Sequence, residues 1–414
     1  MSALQNTFEN TLNPLARAAG LPRNARAVLG LLEKIAHGSL ELRLPDGSYL
    51  RCGEGACCGA SATLAIDDWA VFDRLLERGD LGFAESWIEG QWQTPDLPAL
   101  LTLLANNREA LGAAVYGQWW RLLTARLRHL FNDNSRRGSR RNIVAHYDLG
   151  NDFYRLWLDP TMSYSSALYA GDPACSLQCA QLAKYRRILR RLGARPGQRI
   201  LEIGCGWGGF AELAAREAGA QVHGITLSPA QLDYATQRMA RAGLERQVRV
   251  ELCDYRDLCG EKYDHIVSVE MIEAVGERWW PSYFATISRL LAPGGRAVVQ
   301  SITIADALFA RYRCGTDFIQ QHVFPGGMLP SPAAFANQAN DAGLALRDRF
   351  AFGADYSRTL AEWSARFEAQ WPAIEAQGFD ARFHRLWQFY LAYCQAGFNS
   401  GCTDVMQFEL EHRR

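Results

Sequence analysis

The chain has 414 residues, of which 48% are hydrophobic and 21% are charged, so we expect two or three domains with at least one large core. Lys plus Arg equals Asp plus Glu at 44 each, and a formal net charge of zero argues against electrostatic capture of nucleic acid. No apolar run reaches the length of a membrane span, and the N-terminal residues lack the apolar segment of a secretory signal. These features predict a cytoplasmic protein with reduced thiols.

The first third mixes strand-like and helical patterns. The alternating segment "SLELRLPDGSYLRC" predicts strands and "WAVFDRLLERG" predicts a helix, so residues 1–130 are predicted to form a smaller α+β domain. The polar, breaker-rich segment 131–142 predicts a linker. The eleven cysteines follow no metal-binding spacing, and we predict no metal site.

Two clusters of basic residues interrupt the balanced charge. They comprise Arg136, Arg137, Arg140 and Arg141 in the first, and Lys184, Arg186, Arg187, Arg190 and Arg191 in the second. Each cluster is either a solvated surface or a contact for an anionic surface such as phospholipid headgroups. A nucleic-acid role ranks lower because no recognised binding motif accompanies them.

From about residue 180 the pattern becomes a regular alternation of strands and helices. The strand patterns "RILEI", "QVHGITL", "VRVELCD", "YDHIVSVEMI" and "RAVVQSITI" are separated by helical segments, which predicts a doubly wound parallel α/β sheet within residues 143–414. After residue 330 the chain is predicted to be mainly helical.

A glycine-rich turn, "LEIGCGWGGF", follows the first of these strands. Gly204, Gly206 and Gly208 permit close approach of the backbone to a ligand, at the edge of the sheet where nucleotides bind. No Lys follows as a phosphate-binding loop requires, although "GCGWGG" does fit the dinucleotide pattern. Glu202, two residues before the first glycine, instead matches the E-x-G-x-G pattern of S-adenosylmethionine enzymes, where the acid orders the loop or faces the methionine ammonium.

The next two strands favour the same cofactor. The second ends in "GITLSPAQ" and not in a ribose-binding acid, so Thr226 and Gln231 are the candidates for polar contacts with the cofactor. "CDYRDL" follows the third strand, where an Asp beside the adenine amine is expected. We therefore predict S-adenosylmethionine as the cofactor, with Asp254 as the acid beside the adenine amine.

Several motifs in a common order extend the match over roughly residues 140–410. They are "HYDLGNDFYRLWLDPTMSYSSALY", "LEIGCGWGG", "GITLSPAQ", "DYRDL", "VSVEMIEAVG", "FIQQHVFPGGMLPS" and "FGADYSRTL". In these motifs the chain resembles the cyclopropane fatty acid synthase family, which includes the mycolic acid cyclopropane synthases. The resemblance implies a mostly parallel seven-stranded methyltransferase sheet with helical insertions.

The resemblance also implies the chemistry. Such enzymes add a methylene derived from S-adenosylmethionine across the cis double bond of an unsaturated phospholipid acyl chain, and bicarbonate serves as the base that removes a proton. Tyr164 and Ser165 match the residues that touch the cofactor. The rest of the family's cofactor pocket is matched by the loop 201–209 with Cys205, the segment 226–231 with Leu227, and Tyr255 and Arg256. Glu273, with Glu270 as its rival, and Tyr356 would hold the anion together with the amides of Ser166 and Ile302.

Two matched positions depart from the cyclopropane-forming members. Ser166 replaces a Cys and Gln300 replaces a His, and Gln300 can donate a hydrogen bond but cannot exchange a proton. Methyl or methylene transfer to an unsaturated lipid is therefore the first alternative to cyclopropanation, ahead of methylation of a small soluble metabolite and of lipid binding without catalysis. Cys394 aligns with a cysteine once suspected of catalysis, although a thiol on an amphipathic helix is usually a core residue.

The resemblance further implies peripheral association with the inner face of the membrane. The Trp-rich first third is then a domain that contacts lipid or a second subunit, or a cover that simply packs on the rest. A homodimer is one alternative for the oligomeric state. His146 is either a residue of the cofactor cavity or a structural histidine.

Overall fold

The computed structural model describes residues 20–53, 60–112 and 149–413. The chain divides into two compact units. The first takes the described residues of Met1–Thr124 together with Arg385–Phe389, and the second those of Ala125–His384 together with Tyr390–Arg414. The predicted linker at 131–142, the first basic cluster and His146 lie outside the described residues.

The smaller unit is an α+β arrangement, as predicted. Its elements are α1 (Arg23–Leu32), β1 (Ser39–Arg43), β2 (Tyr49–Cys52), β3 (Ser61–Ile66), α2 (Ala70–Arg78), α3 (Asp80–Ile88), β4 (Trp92–Gln93) and α4 (Leu97–Asn106). The sheet order is β2-β1-β3-β4, with β1 and β3 parallel. Ala62, Leu64 and Ile66 alternate inward along β3, which gives the sheet one apolar face.

The larger unit contains a seven-stranded sheet. Its strands are β5 (Arg199–Ile203), β6 (Gln221–Thr226), β7 (Val248–Leu252), β8 (Tyr263–Val269), β9 (Leu291–Ile304), β10 (Leu344–Ala351) and β11 (Thr403–His412). The order is β10-β11-β9-β8-β5-β6-β7, and β9, β8, β5, β6 and β7 run parallel. This confirms the predicted doubly wound, mostly parallel sheet.

Helices cover both faces of this sheet. The helices after residue 149, in chain order, are α5 (Asn151–Trp157), α6 (Leu177–Leu192), α7 (Gly209–Ala218), α8 (Pro229–Ala242), α9 (Trp280–Leu290), α10 (Asp306–Tyr312), α11 (Phe318–His322), α12 (Pro332–Asp341), α13 (Gly353–Ala369), α14 (Trp371–Glu375) and α15 (Ala381–Asn399). Two separate apolar clusters result, one containing Phe284 and Phe335 and the other Ile188 and Phe210. The strands between them are nearly all apolar because both of their faces are buried.

The prediction for residues after 330 was incomplete. Helices predominate there, but β10 and β11 also lie in this region, and β11 pairs antiparallel with both β9 and β10. Polar residues of β11 such as Gln407 and Glu409 interrupt the apolar pattern expected of a buried strand. Gln407 and Glu409 are nevertheless both buried. Among the described residues, no helix combines the length and the apolar character needed to cross a bilayer.

Candidate active site

The glycine turn connects β5 to α7 at the carboxyl edge of the sheet. Gly204, Gly206 and Gly208 have φ angles of 82°, 52° and 81°, which glycine adopts without strain. A Cβ atom added at Gly206 would meet nothing within 4 Å, whereas one at Gly204 would lie 2.8 Å from Cγ of Met271. The backbone of the turn therefore borders open space at Gly206, as a cofactor-binding loop requires.

Glu202 lies beneath this turn and is only 3% exposed. Its carboxylate accepts a hydrogen bond from the amide of Ala211 in the first turn of α7, while burial raises its pKa well above the ordinary value. Its Oε2 atom has no hydrogen-bond partner among the described residues. The acid thus orders the junction of loop and helix and retains one buried oxygen that fits the cofactor's ammonium.

The predicted contacts after β6 and β7 are partly engaged with each other. Thr226 donates its hydroxyl to Oε1 of Gln231 over 2.7 Å, and both residues are buried, while Leu227 is partly exposed. Asp254 accepts hydrogen bonds from Nε and Nη2 of Arg256 over 2.9 and 2.6 Å. In the structure the Arg256 guanidinium fixes the orientation of the Asp254 carboxylate, which keeps acceptor capacity for a further donor. Cys205 and Tyr255 are buried beside these segments.

The segment that contains Tyr164 and Ser165 is held from below by α6. Gln181 donates to the carbonyl oxygen of Ser165 over 2.8 Å, and Lys184 donates to Oγ of Ser165 and to Oε1 of Gln181 over 2.6 Å each. The Tyr164 hydroxyl lies 2.7 Å from that of Tyr390. Sequence reasoning missed Gln181 and Lys184, although a Lys on the inner face of an amphipathic helix is a detectable signal.

Lys184 also changes the interpretation of the second basic cluster. Its side chain is fully buried, and burial lowers its pKa to about 8 despite the nearby charges of Glu270, Asp159 and Glu202. Arg187 points inward as well, whereas Arg186 pairs with Glu217 at the surface. We predicted that this cluster forms one solvated or lipid-facing surface. That prediction is wrong, because Lys184 and Arg187 point into the protein.

Glu270 follows β8 and is the centre of the polar network. Its Oε1 accepts hydrogen bonds from the Ser166 amide over 2.9 Å and from Nε2 of Gln300 over 2.7 Å, and its Oε2 accepts one from the Tyr356 hydroxyl over 2.6 Å. Each donor favours the ionised carboxylate and lowers its pKa, whereas burial has the larger effect and raises it. The side chain of Ser166 is not needed, since its hydroxyl donates to the carbonyl of Ala167.

The backbone of Glu270 is strained. Its φ angle of 49° lies in the left-handed region, which costs a non-glycine residue about 1–2 kcal/mol. The backbone amide of Glu270 nevertheless donates to the carbonyl of Gln300 over 2.8 Å, so the neighbouring strand holds the residue in place. Strain of this kind points to a functional requirement for a carboxylate at this position.

Glu273 has a different environment. Its Oε1 accepts a hydrogen bond from the Ile302 amide over 2.5 Å, and its Oε2 has no partner among the described residues. Burial, assisted by the charge of Glu270, raises its pKa to about 8. The sequence analysis ranked Glu273 first and expected it to act with Tyr356 and the Ser166 amide. The structure gives both of those donors to Glu270 and the Ile302 amide to Glu273, because the turn after β8 points the two carboxylates at different neighbours.

Cys394 lies on α15, and burial raises the pKa of its thiol far above the ordinary value. A neutral thiol is a poor nucleophile, so the structure offers no support for a catalytic Cys394. Asn151, near the start of the matched region, accepts a hydrogen bond from Nε1 of Trp207 over 2.7 Å and so supports the glycine turn.

The raised pKa of Glu273 makes stability depend on pH. Between its ordinary value and about 8 the folded state binds more protons at this site than the unfolded chain, so stability falls as pH rises through this window. We expect the wild-type melting temperature to drop between about pH 5 and pH 8 by a few °C more than that of Glu273→Gln. Thermal unfolding followed by circular dichroism measures this. Glu277→Gln, which changes a surface carboxylate paired with Arg313, is the matched control and should track the wild type.

The sheet order, the glycine turn and the buried acid beneath it define a methyltransferase site that fits S-adenosylmethionine. Comparison with known proteins agrees: the sequence profile of the family described as mycolic acid cyclopropane synthetase matches residues 134–408. The chain belongs to this family and is an S-adenosylmethionine-dependent methyltransferase.

Individual relatives cover most of the chain. It is 41% identical to the tuberculostearic acid methyltransferase UfaA1 of Mycobacterium tuberculosis, over 96% of this chain and 92% of the relative. It is 35% identical to the cyclopropane-fatty-acyl-phospholipid synthase of Escherichia coli, over 89% and 94%. Among solved structures, the mycolic acid cyclopropane synthase CmaA1 complexed with SAH and CTAB is similar with a TM-score of 0.61 and 33% identity, over 66% of this chain and 97% of that one.

Proposed function

We propose that this enzyme transfers a one-carbon unit from S-adenosylmethionine to the double bond of an unsaturated acyl chain, with Glu270 as the base. The observation that carries the proposal is the carboxylate of Glu270 held by Ser166, Gln300 and Tyr356. The names of the relatives support a fatty-acyl substrate for this chain.

When bound, S-adenosylmethionine supplies an electrophilic methyl group on a positively charged sulfur. The alkene electron pair would form the new carbon–carbon bond to this methyl carbon as its bond to sulfur breaks. Neutral S-adenosylhomocysteine would leave with that bond's electron pair, and the positive charge would remain on the neighbouring alkene carbon. Loss of a proton from the new methyl group to Glu270 closes a cyclopropane ring. If a hydride first migrates to the cationic carbon, loss of the same kind of proton leaves a methylene branch, and either route adds one CH2 unit overall.

The surroundings of Glu270 suit this cationic step. The ring of Tyr356 packs edge-on against Trp363 at a centroid distance of 6.1 Å, and Tyr164 lies 5.4 Å from the same Trp363. Aromatic faces and a fixed carboxylate both stabilise a transient positive charge, and apolar walls exclude the water that would trap it. Burial and the charge of Glu270 raise the pKa of Glu273, which favours its neutral form and disfavours a second anion beside Glu270.

The base itself is a choice between a side chain and a bound anion. The resemblance implies bicarbonate, yet two of the amides and hydroxyls expected to hold it donate to Glu270, and the third donates to Glu273. We therefore propose that Glu270 stands in for bicarbonate in this chain.

For the product, we propose a methylene branch ahead of a cyclopropane ring. Support comes from the 41% identity to a tuberculostearic acid methyltransferase and from Gln300, an amide that holds the base without exchanging a proton. Cyclopropanation remains the second candidate, on the 35% identity to a cyclopropane-forming synthase. A saturated methyl branch needs an added reductant, so the purified enzyme should not form one.

Product analysis tests the function directly. Incubation of the enzyme and S-adenosylmethionine with vesicles of monounsaturated phospholipid should release S-adenosylhomocysteine and increase the acyl mass by one CH2 unit. NMR then separates the exocyclic alkene protons of a methylene branch from the upfield signals of a cyclopropane. Turnover with the free fatty acid alone would contradict a phospholipid substrate at a membrane surface, and no acyl change with either substrate would refute the lipid function.

A further inference from the structure

A chain of buried hydrogen bonds connects helix α6 to Glu270 from behind. Arg187 on α6 donates through Nη1 to Oε1 of Gln407 on β11. Gln407 donates through Nε2 to Oε1 of Gln300 over 2.9 Å, and Gln300 donates through Nε2 to Glu270 over 2.7 Å. Gln407 is 1% exposed and Gln300 is fully buried, so solvent does not compete for these bonds.

The two ends of this chain determine how both amides are oriented. A guanidinium can only donate and an ionised carboxylate can only accept, whereas an amide can be turned either way. With Arg187 at one end, Gln407 must present its oxygen to the guanidinium and its NH2 group to Gln300. Gln300 must then present its oxygen to Gln407, which leaves its own NH2 group for Glu270.

Local structure keeps the chain in register. Gln407 and Gln300 are directly opposite each other in the antiparallel pairing of β11 with β9, so their side chains share one face of the sheet. The Arg187 guanidinium lies 3.9 Å from the ring centroid of Phe350 and 3.5 Å from Asp348, both on β10, and the side chain is 14% exposed.

We propose that Gln407 is a positioning residue that, with Arg187 behind it, keeps the Gln300 amide turned as a donor to Glu270. It touches neither substrate nor cofactor and acts through Gln300. The inference rests on the proposed role of Glu270 as base.

The expected consequence is a change in pH dependence. The titratable groups that face Glu270 are Glu273, Tyr356 and Lys184, and those around Arg187 are Asp348, Glu409, Arg190 and Arg191. A donor stabilises the ionised base and lowers its pKa, so loss or reversal of the donor raises that pKa. The acidic limb of the activity profile then moves to higher pH, because the base must be ionised to act.

Two variants of Gln407 separate orientation from packing. Gln407→Glu keeps the shape but can only accept, so it reverses the Gln300 amide and turns its oxygen toward Glu270. Gln407→Leu removes the hydrogen bond that orients the Gln300 amide, but it does not reverse that amide. We expect Gln407→Glu to lower kcat about tenfold at neutral pH and to move the acidic limb up by about one pH unit, with KM for S-adenosylmethionine unchanged. Gln407→Leu should show a smaller shift in the same direction, whereas a packing role predicts that Leu is the worse replacement.

A double-mutant cycle tests the route through Gln300. In a Gln300→Leu background, Gln407→Glu should cause no further shift, and a persisting shift would show a direct charge effect and overturn the proposal. Arg186→Leu, which removes an exposed Arg from the same helix, is the control and should leave the profile unchanged. If Glu270→Gln retains turnover, the proposed function fails. If Glu270→Gln is inactive but Gln407→Glu keeps the wild-type profile, only this inference fails.

Discussion

Glu270→Gln is expected to lower turnover by about 10²–10⁴-fold, the range typical of losing a general base. An amide keeps the size of the side chain and can still accept from Tyr356, but it cannot take up the proton released from the substrate. Binding of S-adenosylmethionine should remain within a few-fold, because the hydrogen-bond partners of the Glu270 carboxylate, Ser166, Gln300 and Tyr356, lie outside the glycine turn. Release of S-adenosylhomocysteine measures turnover, and calorimetric titration measures binding.

Glu273→Gln is the matched comparison. The sequence alone gave Glu273 the leading catalytic role, as a residue that helps to hold the bicarbonate base, which predicts that this variant abolishes turnover more than it weakens cofactor binding. In the structure, Glu273 accepts from the Ile302 amide, and burial with the charge of Glu270 raises its pKa to about 8, which favours the neutral acid, so the neutral amide should be tolerated far better than at Glu270. A larger loss of turnover in Glu273→Gln than in Glu270→Gln would contradict the proposal that Glu270 is the base and would favour Glu273 in that role.

Glu270→Gly is expected to make the enzyme dependent on bicarbonate. The substitution removes the carboxylate and relieves the left-handed strain, so the protein should fold at least as stably. It leaves the Ser166 amide, the Gln300 amide and the Tyr356 hydroxyl as three free donors around an anion-sized space. Activity should be nearly absent in buffer depleted of carbon dioxide and should return, with saturation, as bicarbonate is added.

The response of the wild-type enzyme to bicarbonate should be the opposite of that of Glu270→Gly. With Glu270 present, its rate should not respond to bicarbonate at any concentration. A wild-type rate that falls on depletion and recovers on addition would show that bicarbonate is the native base, as the family resemblance implies. Glu270→Ala, which removes the carboxylate but keeps the strained backbone, controls for the effect of the added flexibility.

Much of the fold was predictable because its signals are local. The strands around "LEIGCGWGG" are apolar on both faces, and helices of ordinary length separate them, so the parallel sheet follows from the pattern. The strand β11 was missed because Gln407 and Glu409 interrupt its apolar residues. Gln407 is buried against Gln300, and Glu409 is buried against Arg191. Both partners lie on other elements, far away in the sequence, so the local sequence does not indicate them.

The sequence by itself determined the methyl donor, since the glycines and Glu202 are neighbours along the chain and the other candidate pocket segments directly follow strands. It also placed two carboxylates after β8. Only the tertiary structure decided which of them accepts three hydrogen bonds, because the donors to Glu270 come from 104, 30 and 86 residues away, at Ser166, Gln300 and Tyr356. Hydrogen bonds of about 3 Å depend on the relative positions of loops and strands in the folded chain. Residue types and their spacing in the sequence do not specify those positions.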